Sequence, residues 1–382
     1  MPTKAIWEGK ECDVRVDTDL EANWSVSILS GEYDPVSLIR RPAAPVMIKL
    51  RAKTRWLAMD AGLRALKAQG KITDYTIEPR PQSEIDAEAA EKVARLYGAR
   101  RYPSLADLLA GQRLDLVMVL APDREHMPIA RQAIAAGVAT LVEKPLARSL
   151  ADASALADFA EERAILLGSV ANKRFSPPYA LAKLLIDNGC LKTAPSVFEG
   201  KFTLGYPYVD ILESGTIHLL DIALWCMGPV ARVSATGVVS ADGRLESAIA
   251  MLNFQSGAIG SIVTSAAALS FKPWERVEII GRNAMLTVDD QFELTLADDE
   301  CGPSRTWRPV IPNTLMFDES FGGYAGLLEN MLDAIRGLVP LGATGRDGVA
   351  AVALVAAIRQ SIERSEWVSL HQASGESRII SS

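Results

Sequence analysis

Lys144 lies directly after a short apolar strand, where a side chain can meet a ligand. The segment is Glu143-Lys144-Pro145, and the apolar residues before it end at Leu141-Val142. Proline cannot continue a strand ladder because it lacks a backbone N–H. The lysine is therefore placed at the strand end. A partly desolvated ammonium there can hydrogen-bond an alcohol and exchange a proton with it. A solvated lysine at a strand end is the alternative interpretation.

His218 is the second residue with a chemical interpretation. Asp221 follows it by three residues on an apolar segment, so on a helix the two would share one face. A carboxylate there can orient the imidazole or accept a substrate hydroxyl. An imidazole bonded to a carbinol suits hydride transfer, in which a base removes the hydroxyl proton. A histidine whose hydrogen bonds are satisfied within a core is the alternative.

The remaining histidines and the cysteines have simpler interpretations. His126 follows a strand at a helix start, where a loop or capping role is expected, and His371 lies in a polar tail. The four cysteines are far apart and form no C-x-x-C pair, so we expect no metal site. They are Cys12, Cys190, Cys226 and Cys301.

Charge and hydropathy argue against several classes of partner. The net charge is −7, which disfavours nucleic acid as an obligatory partner and disfavours anionic membranes. No apolar run reaches the roughly 18 residues that a membrane span needs. The N-terminal residues lack the apolar core of a secretory signal. These observations predict a cytoplasmic protein that acts on a small molecule.

Alternating strands and helices predict a doubly wound parallel sheet over residues 45–175. The strands are predicted at 46–50, 75–77, 114–120, 139–142 and 165–171, and the helices at 56–69, 85–97, 105–109, 128–136 and 149–162. In such sheets, ligands bind at the carboxyl ends of the strands. Three polar segments follow predicted strands, at 121–123, 143–145 and 172–175.

The pattern changes after residue 175, and residues 176–382 predict an α+β domain with a large antiparallel sheet. Strands are predicted at 197–204, 231–238, 247–254, 258–265, 276–281, 284–289 and 292–296, and helices at 179–188, 218–225, 323–335 and 348–361. Residues 1–44 contain short alternating stretches and turn residues, which predict a small strand-containing extension.

The turn after the first predicted strand differs from that of a common dinucleotide site. A G-x-G-x-x-G turn would place backbone amides around a pyrophosphate, but this turn contains no glycine. Arg51, Lys53 and Arg55 occur there instead. They can bind phosphate by direct charge, or they form a solvated loop of a protein that binds no dinucleotide. After the second strand, Glu78 would suit NAD and Arg80 would suit NADP, so the sequence leaves both cofactors open.

In their order along the chain, these segments resemble the glucose–fructose oxidoreductase, inositol dehydrogenase and rhizopine-catabolism (Gfo/Idh/MocA) family. The matching segments are LDLVMVLAPDREHMPIARQAIAAGVATLVEKPLA, NKRFSP, TIHLLDIALWCMG and the last two helices, within about residues 45–370. The resemblance implies a Rossmann-like parallel-sheet domain followed by an α+β domain with a large, mostly antiparallel open sheet. It also implies NAD(P)-dependent chemistry on a sugar, a polyol or a derivative. A homo-oligomer, either a dimer or a tetramer, is implied as well.

The resemblance assigns roles to individual residues. Lys144 matches a catalytic lysine that touches both substrate and nicotinamide, and His218 matches the family's proton carrier. The implied cofactor surface comprises Ala121, Pro122, Glu143, Lys144 and Arg174, and the implied substrate cleft comprises Asn172, Glu213, Ser214 and Asp221. Ser214 replaces the aspartate that the family usually has there. On a helix, the side chain of the adjacent Glu213 would point about 100° away from that of residue 214.

Two functions are compatible with these observations. The first is an active NAD(P)-dependent oxidoreductase of a sugar-like alcohol or ketone. The second is a catalytically silent relative that senses a sugar or nucleotide, or that serves as a partner subunit. Retention of both Lys144 and His218 favours the enzyme, because a silent scaffold needs neither residue.

Overall fold

The chain forms two compact units, Met1–Pro103 and Ser104–Ser382, in the computed structural model. Side chains are described for residues 90–205, 210–240, 243–268, 273–299, 304–308 and 322–370. For residues 4–7, 10–18, 23–29, 47–51, 74–76, 82–89, 371–373 and 376–381, only the backbone of helices and strands is described. The domain boundaries predicted after residues 44 and 175 stay predictions.

The first unit contains a five-stranded antiparallel sheet. Its strands are β1 (Lys4–Trp7), β2 (Lys10–Thr18), β3 (Asn23–Leu29), β4 (Met47–Arg51) and β5 (Asp74–Thr76). Helix α1 (Gln82–Tyr97) follows them in the same unit. The strand order is β4-β3-β2-β1-β5. The sequence predicts β4 and β5 in the parallel sheet, and this prediction is wrong, because β4 pairs antiparallel with β3 and β5 pairs antiparallel with β1. The N-terminal extension supplies both partner strands. The helix predicted at 56–69 lies outside the described residues.

The second unit begins with a parallel sheet, which confirms the predicted Rossmann-like element. Its elements are α2 (Leu105–Gly111), β6 (Leu116–Val119), α3 (Asp123–Ala135), β7 (Ala139–Val142), α4 (Leu150–Glu162) and β8 (Leu167–Ser169). The described strands are parallel, in the order β6-β7-β8. Their apolar residues pack against α3 and α4 because parallel strands are covered by helices. The carboxyl ends of all three strands therefore meet at one edge.

A second, larger sheet follows, as predicted. Its strands are β9 (Val197–Thr203), β10 (Val230–Val239), β11 (Leu245–Phe254), β12 (Ile259–Ser265), β13 (Trp274–Ile280), β14 (Ala284–Asp289), β15 (Glu293–Asp298), β16 (Arg305–Trp307), β17 (Val368–Ala373) and β18 (Glu376–Ser381). The order is β16-β15-β14-β13-β9-β12-β11-β10-β17-β18. Neighbouring strands pair antiparallel except for β9 and β12, which are parallel. This mostly antiparallel sheet confirms the fold class.

Four helices accompany these sheets: the first, second and fourth pack on the large sheet, and the third packs against the turn that follows β8. They are α5 (Pro177–Asp187), α6 (Ile217–Met227), α7 (Tyr324–Ile335) and α8 (Gly345–Arg364). Helix α8 contacts α4 on one side and α6 with β10 on the other. A buried core joins Phe198 of β9, Leu219 of α6 and Leu354 of α8. Within the described residues, no helix is long and apolar enough to cross a membrane.

Candidate active site

Lys144 follows β7, and its ammonium is held by backbone oxygens. Its Nζ donates to the carbonyl oxygens of Ser214, at 2.9 Å, and Glu213, at 3.3 Å. Burial lowers the pKa of Lys144, although the nearby charges of Glu143, Asp123 and Glu213 act in the opposite direction. An ammonium has three N–H donors. Two of these donors are used by the two carbonyls, which leaves one for a ligand.

Lys144 and His218 line the same cavity. The sequence places these residues 74 positions apart, and the fold brings them together because α6 begins beside the carboxyl end of β7. Apolar residues form much of the remaining lining, including Val170, Ala171 and Ile217. The cavity therefore combines apolar walls with an ammonium and an imidazole. This is the arrangement that the sequence predicts for a hydride-transfer site.

The imidazole of His218 lines the cavity. Burial lowers its pKa well below 6.5, and the positive charges of Lys144 and Lys173 lower it further. The ring is therefore neutral near pH 7. Among the hydrogen bonds between described residues, none involves a His218 ring nitrogen. One of the two nitrogens of a neutral imidazole is always available to accept a proton.

Asp221 lines the cavity too, but its carboxylate is bonded to Arg174. Arg174 Nε donates to Asp221 Oδ2 at 2.9 Å, and Nη2 donates to Oδ1 at 2.6 Å. Arg174 Nη2 also donates to Asp347 at 3.0 Å, and Nη1 donates to the carbonyl of Gly342 at 3.1 Å. A guanidinium fork matches a carboxylate better than an imidazole does. The idea that Asp221 orients His218 is therefore wrong for this structure.

Asn172 and Lys173 lie beside Arg174 in a 3₁₀ turn, Asn172–Phe175, that follows β8. Asn172 Nδ2 donates to the carbonyl of Gly322 at 2.6 Å, while its buried Oδ1 has no partner among the described residues. Lys173 forms a buried ion pair with Glu275. The sequence did not indicate this ion pair, because its partners are 102 positions apart.

The predicted cofactor surface is described only in part. Ala121 and Pro122 follow β6, and Glu143 follows β7, so all three lie at carboxyl ends of parallel strands. His126 connects the two turns: Nε2 is 2.8 Å from the carbonyl oxygen of Ala121, and Nδ1 is 2.7 Å from that of Pro145. Its role is therefore to bridge two loops rather than to cap a helix. The side chains predicted to contact the remainder of the dinucleotide lie outside the described residues; they are those of Arg51, Lys53, Arg55, Glu78 and Arg80.

Ser214 and Glu213 lie in a π-helical turn, Leu212–Thr216, directly before α6. We call this segment the π-turn. Ser214 contacts Lys144 through its backbone carbonyl. The Glu213 carboxylate accepts from Arg359 Nη2 at 2.9 Å. Glu213 therefore does not supply the carboxylate that is absent at position 214. Gly215 is required in the π-turn because a Cβ there would collide with the Phe202 ring.

Two family models match the chain over regions that contain Lys144, Ser214 and His218. The model described as "Oxidoreductase family, NAD-binding Rossmann fold" matches residues 82–169. The model described as "Oxidoreductase family, C-terminal alpha/beta domain" matches residues 211–370. Together they cover more than half of the chain. This protein belongs to the Gfo/Idh/MocA oxidoreductase family.

Relatives in the Gfo/Idh/MocA family span most of the chain. D-apiose dehydrogenase of Paraburkholderia graminis is 25% identical over 322 residues, which are 78% of this chain and 84% of that protein. Myo-inositol 2-dehydrogenase of Thermotoga maritima is 25% identical over 295 residues, which are 72% of this chain and 86% of that protein. Both relatives are named as dehydrogenases of a sugar or polyol.

Solved structures share the fold. An oxidoreductase from Agrobacterium radiobacter, in complex with NAD+, L-tartaric acid and magnesium, has a TM-score of 0.68 and 22% identity, and covers 74% of this chain and 88% of its own. GenD2 from gentamicin A biosynthesis, in complex with NAD, has a TM-score of 0.63 and 26% identity, and covers 74% of this chain and 86% of its own.

Proposed function

We propose that this protein is an NAD-dependent oxidoreductase that interconverts an alcohol and a ketone on a sugar, a polyol or a derivative. The observation that carries the proposal is the shared cavity of Lys144 and His218 at the carboxyl ends of the parallel strands. The names of the apiose and inositol dehydrogenases support this substrate class. The family model and the NAD complex of GenD2 support NAD rather than NADP.

The described residues fit such a cofactor. Val170 and Ala171 line the cavity beside Lys144 and would pack against one face of a nicotinamide ring. The strand-end turns at Ala121, Pro122 and Glu143 would hold the adjoining part of the dinucleotide. When bound, NAD+ supplies the hydride acceptor.

The two polar residues would act on the hydroxyl of the substrate. The third N–H of Lys144 donates to the hydroxyl oxygen and thereby fixes the carbon that loses hydride. The neutral His218 accepts the hydroxyl proton as the carbonyl forms. In the reduction direction, the imidazolium returns this proton to the alkoxide. Both roles need only groups that line the cavity, and neither requires a metal ion.

NADH binding and turnover test the proposal. Fluorescence of NADH titrated with the protein should change saturably, and oxidation of a panel of inositols, pentoses and sugar acids with NAD+ should generate absorbance at the NADH band. Binding of NADH without turnover of any panel member would favour the catalytically silent relative. If neither NADH nor NADPH binds at millimolar concentration, the oxidoreductase proposal is wrong.

We also propose that the protein is a homo-oligomer. The side chains of β11 alternate between buried and exposed, and the exposed set includes Ile249 and Met251, each 51% accessible. Val263 on β12 lies directly opposite Ile249 and is 37% accessible. A contiguous apolar patch on an open sheet face is typical of a contact between protein surfaces. A cytoplasmic location stays a prediction.

A further inference from the structure

Arg359 on α8 binds the segment that holds Lys144. Its Nη2 lies 2.8 Å from Asp210 Oδ1 and 2.9 Å from Glu213 Oε1. The guanidinium is partly buried, with a side-chain exposure of 33%. Neither carboxylate belongs to the lining of the cavity. Arg359 therefore contacts the π-turn through carboxylates that do not line the cavity.

Asp210 links Arg359 to the backbone of the π-turn. Asp210 Oδ1 accepts from the amide of Leu212 at 3.1 Å and from the amide of Glu213 at 3.4 Å, and its carbonyl accepts from the amide of Ser214 at 3.0 Å. The carbonyls of Glu213 and Ser214 are the two acceptors of the Lys144 ammonium. A shift of this segment would therefore move both acceptors at once.

The far end of the π-turn is fixed separately. Thr216 Oγ1 donates to the carbonyl of Ile211 at 3.0 Å and lies 2.6 Å from Thr264 Oγ1 on β12. Gly215 packs against the Phe202 ring. Arg359 thus restrains the beginning of the turn, while β9 and β12 restrain its end.

We propose that Arg359 is a positioning residue for Lys144. It orders the π-turn so that two carbonyls receive the ammonium and one N–H remains for a ligand. It also holds the Glu213 carboxylate, which would otherwise be free to pair with the ammonium and occupy that N–H. The consequence for catalysis rests on the proposed function, whereas the effect on Lys144 does not.

The reactivity of Lys144 tests the inference without substrate or cofactor. The folded protein is treated with a trace of acetic anhydride, and the acetylation rate of each lysine is measured by peptide mass spectrometry, with exposed Lys92 as the reference. In the Arg359→Met/Glu213→Gln double variant, Lys144 loses its ordered acceptors, and no carboxylate remains at position 213 to pair with it. Its acetylation rate should rise about tenfold, since hydrogen bonds to a charged group are strong.

A matched control lies on the same helix. Arg346 binds Asp158 and Glu161 from α8, with a side-chain exposure of 35%, and it makes no contact with the π-turn. The double variant Arg346→Met/Glu161→Gln removes a similar pair and should leave Lys144 at its original rate.

Further variants separate positioning from general stabilisation. Arg359→Lys keeps a cation near both carboxylates and should keep Lys144 near its original rate. Glu213→Gln alone, which leaves Arg359 its contact with Asp210, should raise the rate less than the double variant and serves if the double variant does not fold. The buried Lys173 reports general loosening.

An unchanged Lys144 rate, a parallel rise at Lys173, or an equal effect of the Arg346 control would overturn the inference. Titration with NADH is performed on the same variants. A protein that binds no NADH but shows the specific rise at Lys144 would refute the proposed function and keep the positioning role.

Discussion

Arg174 donates to both carboxylate oxygens of Asp221, over 2.9 and 2.6 Å, and so joins the turn after β8 to helix α6. The two side chains are only 5% and 8% exposed. Removal of one partner leaves the other charge buried and unpaired. We therefore expect Arg174→Met to lower the free energy of unfolding by about 3–5 kcal/mol, measured by urea denaturation.

The control for this prediction is Arg346→Met, whose carboxylate partners are 43% and 59% exposed. Exposed ion pairs contribute at most about 1 kcal/mol. Equal losses for the two variants would mean that burial of the Arg174 pair adds nothing to stability.

His218 should make stability depend on pH. In the unfolded chain a histidine titrates near its ordinary pKa of about 6.5, whereas burial lowers the pKa of His218 in the fold. The unfolded state therefore binds the proton first as the pH falls. The stabilising effect of the neutral ring is present above the unfolded pKa and is lost as pH falls toward the folded pKa.

The variant His218→Gln removes this dependence. The free energy of unfolding of the unmodified protein should fall more steeply from pH about 7 to pH about 5 than that of the variant, since only the former carries this titrating ring. His126 and His371 are present in both proteins, so their contributions cancel. Parallel pH curves would contradict a lowered pKa at His218.

The sequence predicted those parts of the fold that depend on local patterns. Strand β7 agrees with its predicted bounds, residues 139–142. Helix α3 instead begins at Asp123, five residues before its predicted start, with Pro128 inside it. Proline lacks a backbone N–H and is disfavoured inside a helix, so sequence rules place a helix boundary at Pro128. Packing of the helix in the fold can override this rule.

Residue types and their order along the sequence predicted which residues belong to the site, but not which side chains they contact. Lys144 and His218 were identified, and they line one cavity. The partner of Asp221 was not, because the choice between His218 and Arg174 depends on which side chain the fold brings within reach. Arg359 gave no signal at all, since it acts through a segment 146 positions away.

His126 should support the cofactor surface by joining two strand-end turns. His126→Phe keeps a ring in the buried site but removes both ring nitrogens, so a carbonyl of Ala121 or Pro145 that accepts an imidazole N–H loses its donor. A neutral imidazole has one such N–H and an imidazolium has two. Unpaired buried acceptors cost about 1–3 kcal/mol each. We expect a lower free energy of unfolding together with weaker NADH binding, measured by urea denaturation and by fluorescence titration.

Thr140→Val is a suitable comparison for His126. It removes one buried bond, from Thr140 Oγ1 to the carbonyl of Val138 at 3.0 Å, near the start of β7 rather than at its carboxyl end. It should reduce stability without changing NADH affinity. If both variants leave NADH binding intact, His126 stabilises the fold alone.

The open sheet face should determine the oligomeric state. Ile249→Lys places a charge at the centre of the exposed apolar patch, opposite Val263. Its side chain points away from the buried core, so we expect the fold to remain and the molecular mass in solution to fall to that of a single chain. Light scattering after size-exclusion chromatography measures the molecular mass. Ala155→Lys on helix α4, which places the same charge at an exposed position of another element, is the control, and an unmodified protein that is already monomeric would contradict the proposal.

Lys144 provides the decisive test of chemistry. Lys144→Met retains an apolar chain of similar length but removes the ammonium that faces the cavity. Loss of a hydrogen-bond donor to the reacting oxygen lowers turnover by about 10²–10³-fold. NADH affinity should change far less, because the strand-end turns remain.

Lys183→Met, which removes a lysine paired with Asp187 within α5, should keep full turnover. Turnover of Lys144→Met within a factor of a few of the unmodified protein would exclude Lys144 from the reaction, and His218 would then act alone on the substrate hydroxyl.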